Sequence, residues 1–557
     1  MSRAMMSQVR GWHPEIAGVA SAALVAANLR FGAAMGQVRR HVDTALSDWQ
    51  GEAAAAGSLR AVAAQLTANH IGAAVLDIAD ALADAGGLAG LRAAVLALEA
   101  EAVANGCVVA EDGTVEPPRA DSGNPALDLA LQACFDAEAQ SVTARLIPLL
   151  DLAGDTDREI GARLTEASAA LDALCAAPQG GPLGSRVADI IDGRALLPEE
   201  PKALCALWES LSPAEKDALF AYDPMIGNRD GIPAVARDHY NRLGLERLHT
   251  DARFQLAKLD APHPDWARAE NLPTTTHDWI RLREWDAGRA ELLTRIAGYE
   301  AIAAEVGPGH RDRFLLAVDS RGHGAIALSN PDSARHVATF VPGTGAPLSG
   351  IALGLARAGA LQSAAERADP MARTSVIAWY GYDAPPGLGE AMFDHYADAG
   401  APALDRFADG LRAAHDGLPS HNTLIGHSYG STVIGTAATA GGSLAADELI
   451  FAGSPGVAAD DVFELRLDGL VPERNGAHVF ATADPADPIP VAGRLPHGPT
   501  PTDPGFGATV FDSAGATFDV PLLRDIPVDP GAHGSYWDRD NPALQTQGEI
   551  ITGAYRR

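Results

Sequence analysis

From residue 313 onward the chain alternates short apolar runs with helical spans. RFLLAVD (313–319) and AIALS (325–329) flank the turn SRGHG, and HVATFVPGTG (336–345), SVIAWYGY (375–382), NTLIGHSYG (422–430), ELIFAGSPG (448–456) and HVFATAD (478–484) follow. Between these runs lie helical patterns, notably at 349–367, 388–414 and 430–440. Short runs rich in β-branched and aromatic residues, separated by helices, read as parallel strands buried on both faces. The first two, joined by a tight turn, read as an antiparallel hairpin. The expected fold class is therefore α/β, a mostly parallel sheet with helices on both faces.

The preceding sequence has a different texture. Across 1–200, alanine and leucine recur at three- and four-residue spacing, as in LRAAVLALEAEAVA and REIGARLTEASAALDALC, which predicts a large all-α region. NGCVVAEDGTVEPPRADSGNP (105–125) is a β-like excursion, and PQGGPLG (178–184) reads as a linker. Residues 280–304 read as one strong amphipathic helix. A chain of 557 residues exceeds one ordinary core. We expect a helical hairpin region at 1–104, a helical extension and linker at 105–184, a helical lid or connector at 185–309 and a catalytic domain at 310–557.

Charge and cysteine usage narrow the functional classes. The formal net charge is −30, and lysine occurs only at Lys202, Lys216 and Lys258. Such a surface repels phosphate backbones, and the densest basic cluster is only Arg39-Arg40-His41, so no nucleic-acid partner is expected. Cys107, Cys134, Cys175 and Cys205 form no C-x-x-C pair, so neither a metal site nor a disulfide scaffold is expected. AGVASAALVAANL (17–29), bounded by Glu15 and Arg30, reads as an amphipathic helix too short to span a bilayer. A cytoplasmic location is the default expectation, with export or the cell envelope as the alternative.

The chemistry centres on LIGHSYGS (424–431). An apolar strand precedes Ser428 and the small-residue helix GSTVIGTAATA follows it, the strand–turn–helix setting of a nucleophile elbow. Gly426 and Gly430 leave room for the turn, and the helix N-terminus favours negative charge developing nearby. A serine hydroxyl needs a base to take its proton. In the chain order Ser…Asp…His, that base is expected at His533 in PGAHGSYWD, with His497 the alternative. His427 is assigned to packing or hydrogen bonding. The orienting acid is expected in ADPADPIP, at Asp487, with Asp484 as its competitor. An oxyanion hole needs two backbone N–H donors, expected from Tyr429 and from Thr344 or Gly345 in VPGTG. Trp379, Tyr380, Tyr382 and Phe506 could serve either an acyl site or the core.

These residues give the chain a resemblance to a large family of alpha/beta hydrolases with a helical N-terminal region. The resemblance covers roughly 195–555. It rests on IGNRDGIPAVARDHYNR (226–242), VPGTG (341–345), WYGYDAP (379–385), TLIGHSYGSTVIG (423–435), GSPGV (453–457), the HG…DPGFGA stretch (497–508) and HGSYWD (533–538). It implies a carboxylic-ester hydrolase whose triad is Ser428, an acid near Asp487 and His533, with no cofactor. Its partner would be a small-molecule or lipid ester. Trp49-Gln50-Gly51, between two helical segments, resembles the W-x-G turn of helical-hairpin proteins exported by type VII secretion. That second resemblance implies a partner helix for the N-terminal region. The Y-x-x-x-D/E export signal is missing after the second helix, and Tyr536…Asp540 matches only its spacing. The leading expectation is a serine esterase. The alternative is a secretion-linked, partner-binding protein with a vestigial hydrolase domain.

Overall fold

The computed structural model describes residues 3–46, 52–176, 184–268, 276–307, 310, 312–492, 496–513, 529 and 531–555. Trp49-Gln50-Gly51 lies outside the described residues, as do 178–183 of the expected linker. The chain forms two compact units, Met1–Pro182 and Leu183–Arg557. The four expected segments thus merge pairwise, and the merging follows from which residues share a core.

In the first unit, helices Pro14–Leu46, Glu52–Ala104 and Pro125–Ala176 dominate. The β-like excursion is a two-residue hairpin pairing Val108 with Glu116 and Val109 with Val115. Val95 and Leu98 from one helix, Leu146 and Leu150 from another, and Cys107 and Val115 around the hairpin bury together. This shared core is why 105–176 is not a separate domain. The stretch 17–29 sits inside a longer apolar helix. By length and composition Pro14–Met35 could cross a membrane, and so could His70–Ala104, which corrects the expectation of a span too short to do so. Cys107, Cys134 and Cys205 are free thiols.

In the second unit the sheet strands are β1 (Phe314–Val318), β2 (Gly324–Ala327), β3 (His336–Val341), β4 (Thr374–Tyr380), β5 (His421–His427), β6 (Glu448–Ala452), β7 (Val479–Thr482) and β8 (Thr509–Val510). Their order across the sheet is β8-β7-β6-β5-β3-β4-β2-β1. Only β2 runs against its neighbours β1 and β4; the other pairs are parallel. Helices α1 (Ile351–Ala368), α2 (His395–Ala414), α3 (Tyr429–Thr439) and α4 (Pro542–Ile551) cover the two faces.

Successive strand residues serve opposite faces, as the pleat requires. Val337, Val341, Leu424, Leu449 and Phe451 pack with Leu404 and Phe407 of α2 and Val433 and Ile434 of α3. Ala338, Phe340, Ile425 and Ile450 pack with Leu361 of α1 and Leu544 and Ile550 of α4. Trp379, Tyr382 and Phe506 belong to the first of these cores, while Tyr380 packs in a third.

The described helices of 185–309 pack against the sheet. Leu245, Leu248, Ile296, Tyr299 and Ile302 bury against Leu315, Val318 and Ile326 of β1 and β2. The string at 226–242 also serves the exposed edge of β1. Asn228 exchanges hydrogen bonds with Val318, donating from Nδ2 at 2.7 Å and accepting at Oδ1 at 2.8 Å. Arg237 Nε donates to Leu316 O at 2.8 Å, Asn241 Nδ2 donates to Leu315 O at 3.1 Å, and Asp238 accepts from Leu315 N at 2.7 Å. Side chains thus satisfy a strand edge that would otherwise be open to pairing.

Candidate active site

The strand order sets the site. The chain leaves β3 through α1 toward β4, and leaves the adjacent β5 through α3 toward β6, in opposite directions across the sheet. In such sheets the crevice beyond the diverging strand ends is where ligands bind. Val341, followed by the VPGTG turn, and His427, followed by Ser428, end at that crevice.

Ser428 caps α3 with φ 54° and ψ −129°, a conformation that a side chain other than glycine's adopts only under strain. Its own N–H is bonded to Ala452 O at 3.0 Å, and its carbonyl accepts from Ser431 N at 2.9 Å. The glycines around it are steric necessities. A Cβ on Gly426 would lie 2.6 Å from Ser431 Cα, and one on Gly343 would lie 2.6 Å from Ser428 Cβ. A Cβ on Gly430 would overlap the Val341 carbonyl oxygen.

The candidate base and acid come from distant loops. His533 Nδ1 donates to Asp487 Oδ2 at 2.8 Å, leaving Nε2 as its basic atom. Asp487 is fully buried and receives two further donors, Tyr536 OH at 2.6 Å and Ile489 N at 2.9 Å. Asp484 does not reach the histidine. It caps its own turn by accepting from Ala486 N at 2.8 Å, its N–H donates to Tyr536 OH at 3.0 Å, and burial raises its carboxyl above the ordinary range. Of the two competing aspartates, the geometry therefore pairs Asp487 with His533.

His427 joins the Ser428 turn to the His533 loop. Complete burial, and after it the charges of His533 and Arg357, hold its imidazole well below the usual value, so it is neutral. Its Nε2–H donates to the His533 carbonyl at 2.8 Å, and Nδ1 accepts from Arg357 Nη1 at 3.5 Å. The Arg357 guanidinium lies over the Trp537 ring at 4.7 Å. Gly453 lets the β6 end approach this pair, since a Cβ there would lie 2.8 Å from Asp487 Oδ2 and 3.1 Å from His533 Nδ1. Ser428 Oγ and the His533 ring share no hydrogen bond among the described contacts. Such bonds are often loose until substrate arrives.

The expected oxyanion donors separate. Tyr429 begins α3, so its N–H is one of the helix's unpaired first-turn donors. Gly345 is excluded as a donor, because its N–H is committed to Pro385 O at 2.8 Å. Thr344 remains, and with Ser428 and Tyr429 it lines a cavity of about 90 Å³. The rest of that cavity is Leu388, Ala391, Met392, Pro455, Ile489, Pro496 and His497. None of the aromatic residues weighed for an acyl site is among them, and none comes from 185–309. His497 is a wall and a tie: Nδ1 bonds Asp394 Oδ1 and Nε2 bonds Ala391 O, each at 2.6 Å. Tyr429 OH likewise ties this segment, donating to Phe393 O at 2.5 Å.

Tyr536, Gly453 and Arg357 are contributions that motif reading missed. Tyr536 carried a visible signal, its place in HGSYWD beside His533.

Residues 319–496 match the family described as "Alpha/beta hydrolase", a stretch that holds Ser428 and Asp487 and ends before His533. An "Uncharacterized protein" of Mycobacterium tuberculosis is 30% identical over 385 residues, covering 62% of this chain and 54% of the relative. Another of Mycobacterium bovis is 35% identical over 155 residues, covering 28% of this chain and 50% of the relative. The chain thus spans about half the length of the curated relatives it matches. No solved structure matches it significantly. The sheet, its two helical layers and the matched stretch together give this part of the chain an alpha/beta-hydrolase fold, preceded by a helical region.

Proposed function

We propose that this domain hydrolyses carboxylic esters through an acyl-enzyme. Ser428 Oγ forms a bond to the carbonyl carbon while His533 Nε2 takes the hydroxyl proton. The bond to the alcohol oxygen then breaks, and His533 returns the proton to that oxygen. Water, deprotonated by the same histidine, attacks the acyl-serine and releases the acid. Asp487 holds the Nδ1–H tautomer and stabilises the imidazolium, and the N–H groups of Tyr429 and Thr344 receive the oxyanion. Base, nucleophile and oxyanion donors are all protein groups, so the scheme calls for no cofactor.

The observation that carries this reading is the 2.8 Å bond from His533 to the fully buried Asp487, on a loop tied to the residue preceding the strained Ser428. A merely glycine-rich turn would need neither the strain nor the pair. Replacing Ser428 by alanine should lower turnover of a short acyl phenyl ester by at least about three orders of magnitude. A fluorophosphonate should label the wild type at Ser428 and leave the Ser428→Ala protein unlabelled. Full ester turnover by Ser428→Ala would refute the assignment.

A further inference from the structure

The small cavity at Ser428 carries information about the substrate. With the carbonyl carbon at Ser428 Oγ and its oxygen toward Tyr429 and Thr344, two substituents must leave in different directions. His533 has to reach the alcohol oxygen to reprotonate it, so the alcohol lies on the His533 side. His533 is absent from the cavity lining, whereas Ser428, Tyr429 and Thr344 are all in it. The substituent that enters the cavity is therefore the acyl chain.

The volume and chemistry of the cavity then limit that chain. About 90 Å³ is smaller than the roughly 150 Å³ of an engineered apolar cavity that takes up one benzene ring. Leu388, Ala391, Met392, Pro455, Ile489 and Pro496 offer apolar surface. The one ionisable side chain in the lining besides Tyr429 is His497, and both its nitrogens are spent on Asp394 and Ala391 O. The Tyr429 hydroxyl is committed to Phe393 O. Thr344 and Ser428 supply only hydroxyls, so a charged acyl chain would meet no counter-charge there, a cost that an alkyl chain avoids.

Resting on the reading of Ser428 as nucleophile, we propose that this is a short-acyl pocket. It selects esters of uncharged acids of about two to four carbons, with Met392 and Ala391 setting the limit. Met392 is 46% exposed, so it forms the outer wall, and its truncation opens the cavity to solvent. Ala391 sits on the inner turn, where a larger side chain would fill the space.

The test is a series of phenyl esters from acetyl to decanoyl, hydrolysed by the full chain, with fluorophosphonate labelling run beside it. In the wild type, kcat/KM should rise by about fourfold per methylene up to about four carbons, as each is buried. It should then fall by at least about tenfold at eight carbons and beyond. Met392→Ala should move the optimum to longer chains, and Ala391→Leu should confine turnover to acetyl. Both side chains line the pocket itself, so a thermal midpoint close to the wild type's will show that each variant is folded. A wild-type profile that climbs through eight carbons, or a profile unmoved by both substitutions, overturns the pocket assignment while leaving the hydrolase reading in place. Absence of labelling at Ser428 in the wild type overturns the hydrolase reading and the pocket with it.

Discussion

His427 Nε2 lies 2.8 Å from the carbonyl oxygen of His533, 106 residues further along the chain. Because His427 immediately precedes Ser428, this bond registers the His533 loop on the Ser428 turn. Its ring also sits 4.5 Å from the His533 ring and meets Trp537 edge-on at 5.0 Å. His427→Phe keeps the bulk and removes the donor, so kcat should fall about tenfold with KM little changed. His427→Gln, which restores a donor, should recover part of the loss. If the phenylalanine variant retains full kcat, the bond does not position the base.

The two aspartates of ADPADPIP should behave differently. Asp487→Asn disturbs the carboxylate bonded to His533, and by analogy with other triads should cost about three to four orders of magnitude in kcat. Asp484→Asn retains an acceptor for Ala486 N and should cost less than about tenfold. Steady-state kinetics of the two purified variants decides between them. Equal losses would mean that the turn, not the pair with His533, carries the effect.

Gly430 is a steric requirement and Gly442 is not. A Cβ on Gly430 would overlap the Val341 carbonyl, whereas one on Gly442 would meet nothing within 4 Å. Gly430→Ala should therefore destabilise the domain by about 1–3 kcal/mol or more, as overpacking does. Gly442→Ala should stay within about 0.5 kcal/mol of the wild type. Urea midpoints for the two variants read this directly, and comparable midpoints would contradict the close approach of β3 to α3.

Asp332 should make stability depend on pH in an unusual direction. Burial, with a smaller push from Asp416, raises its carboxyl from 3.8 to about 7, although the Ala234 N–H it accepts works the other way. Between those values the folded chain holds a proton that the unfolded chain has released. Its contribution to stability is therefore present at low pH, falls as pH rises from about 4 to about 7, and then levels off. Asp332→Asn keeps an acceptor for Ala234 and should flatten that slope, so the variant gains on the wild type toward pH 8. Thermal midpoints measured from pH 4.5 to 8 test this, and parallel curves for the two proteins would count against it.

What was legible in the amino-acid sequence was governed by short-range rules. The period of apolar residues announced each strand and helix, and the alternation between them implied a parallel sheet covered on both sides. The tight turn at Ser428 was legible because Gly426 and Gly430 flank it, where local sterics leave few alternatives. Other features depended on contacts between segments far apart. Asp484 and Asp487 are equivalent in sequence, and only the approach of His533, 46 residues later, separates them. Gly345 and Thr344 are neighbours in VPGTG, and Pro385, 40 residues on, takes the N–H of one. The acyl-site aromatics went to the core because the sheet face they share is covered by α2, while the cavity was walled by 388–392, Pro455, Ile489 and 496–497. Periodicity and turn sterics act over a few residues, but which groups meet across a crevice is set by how the layers pack.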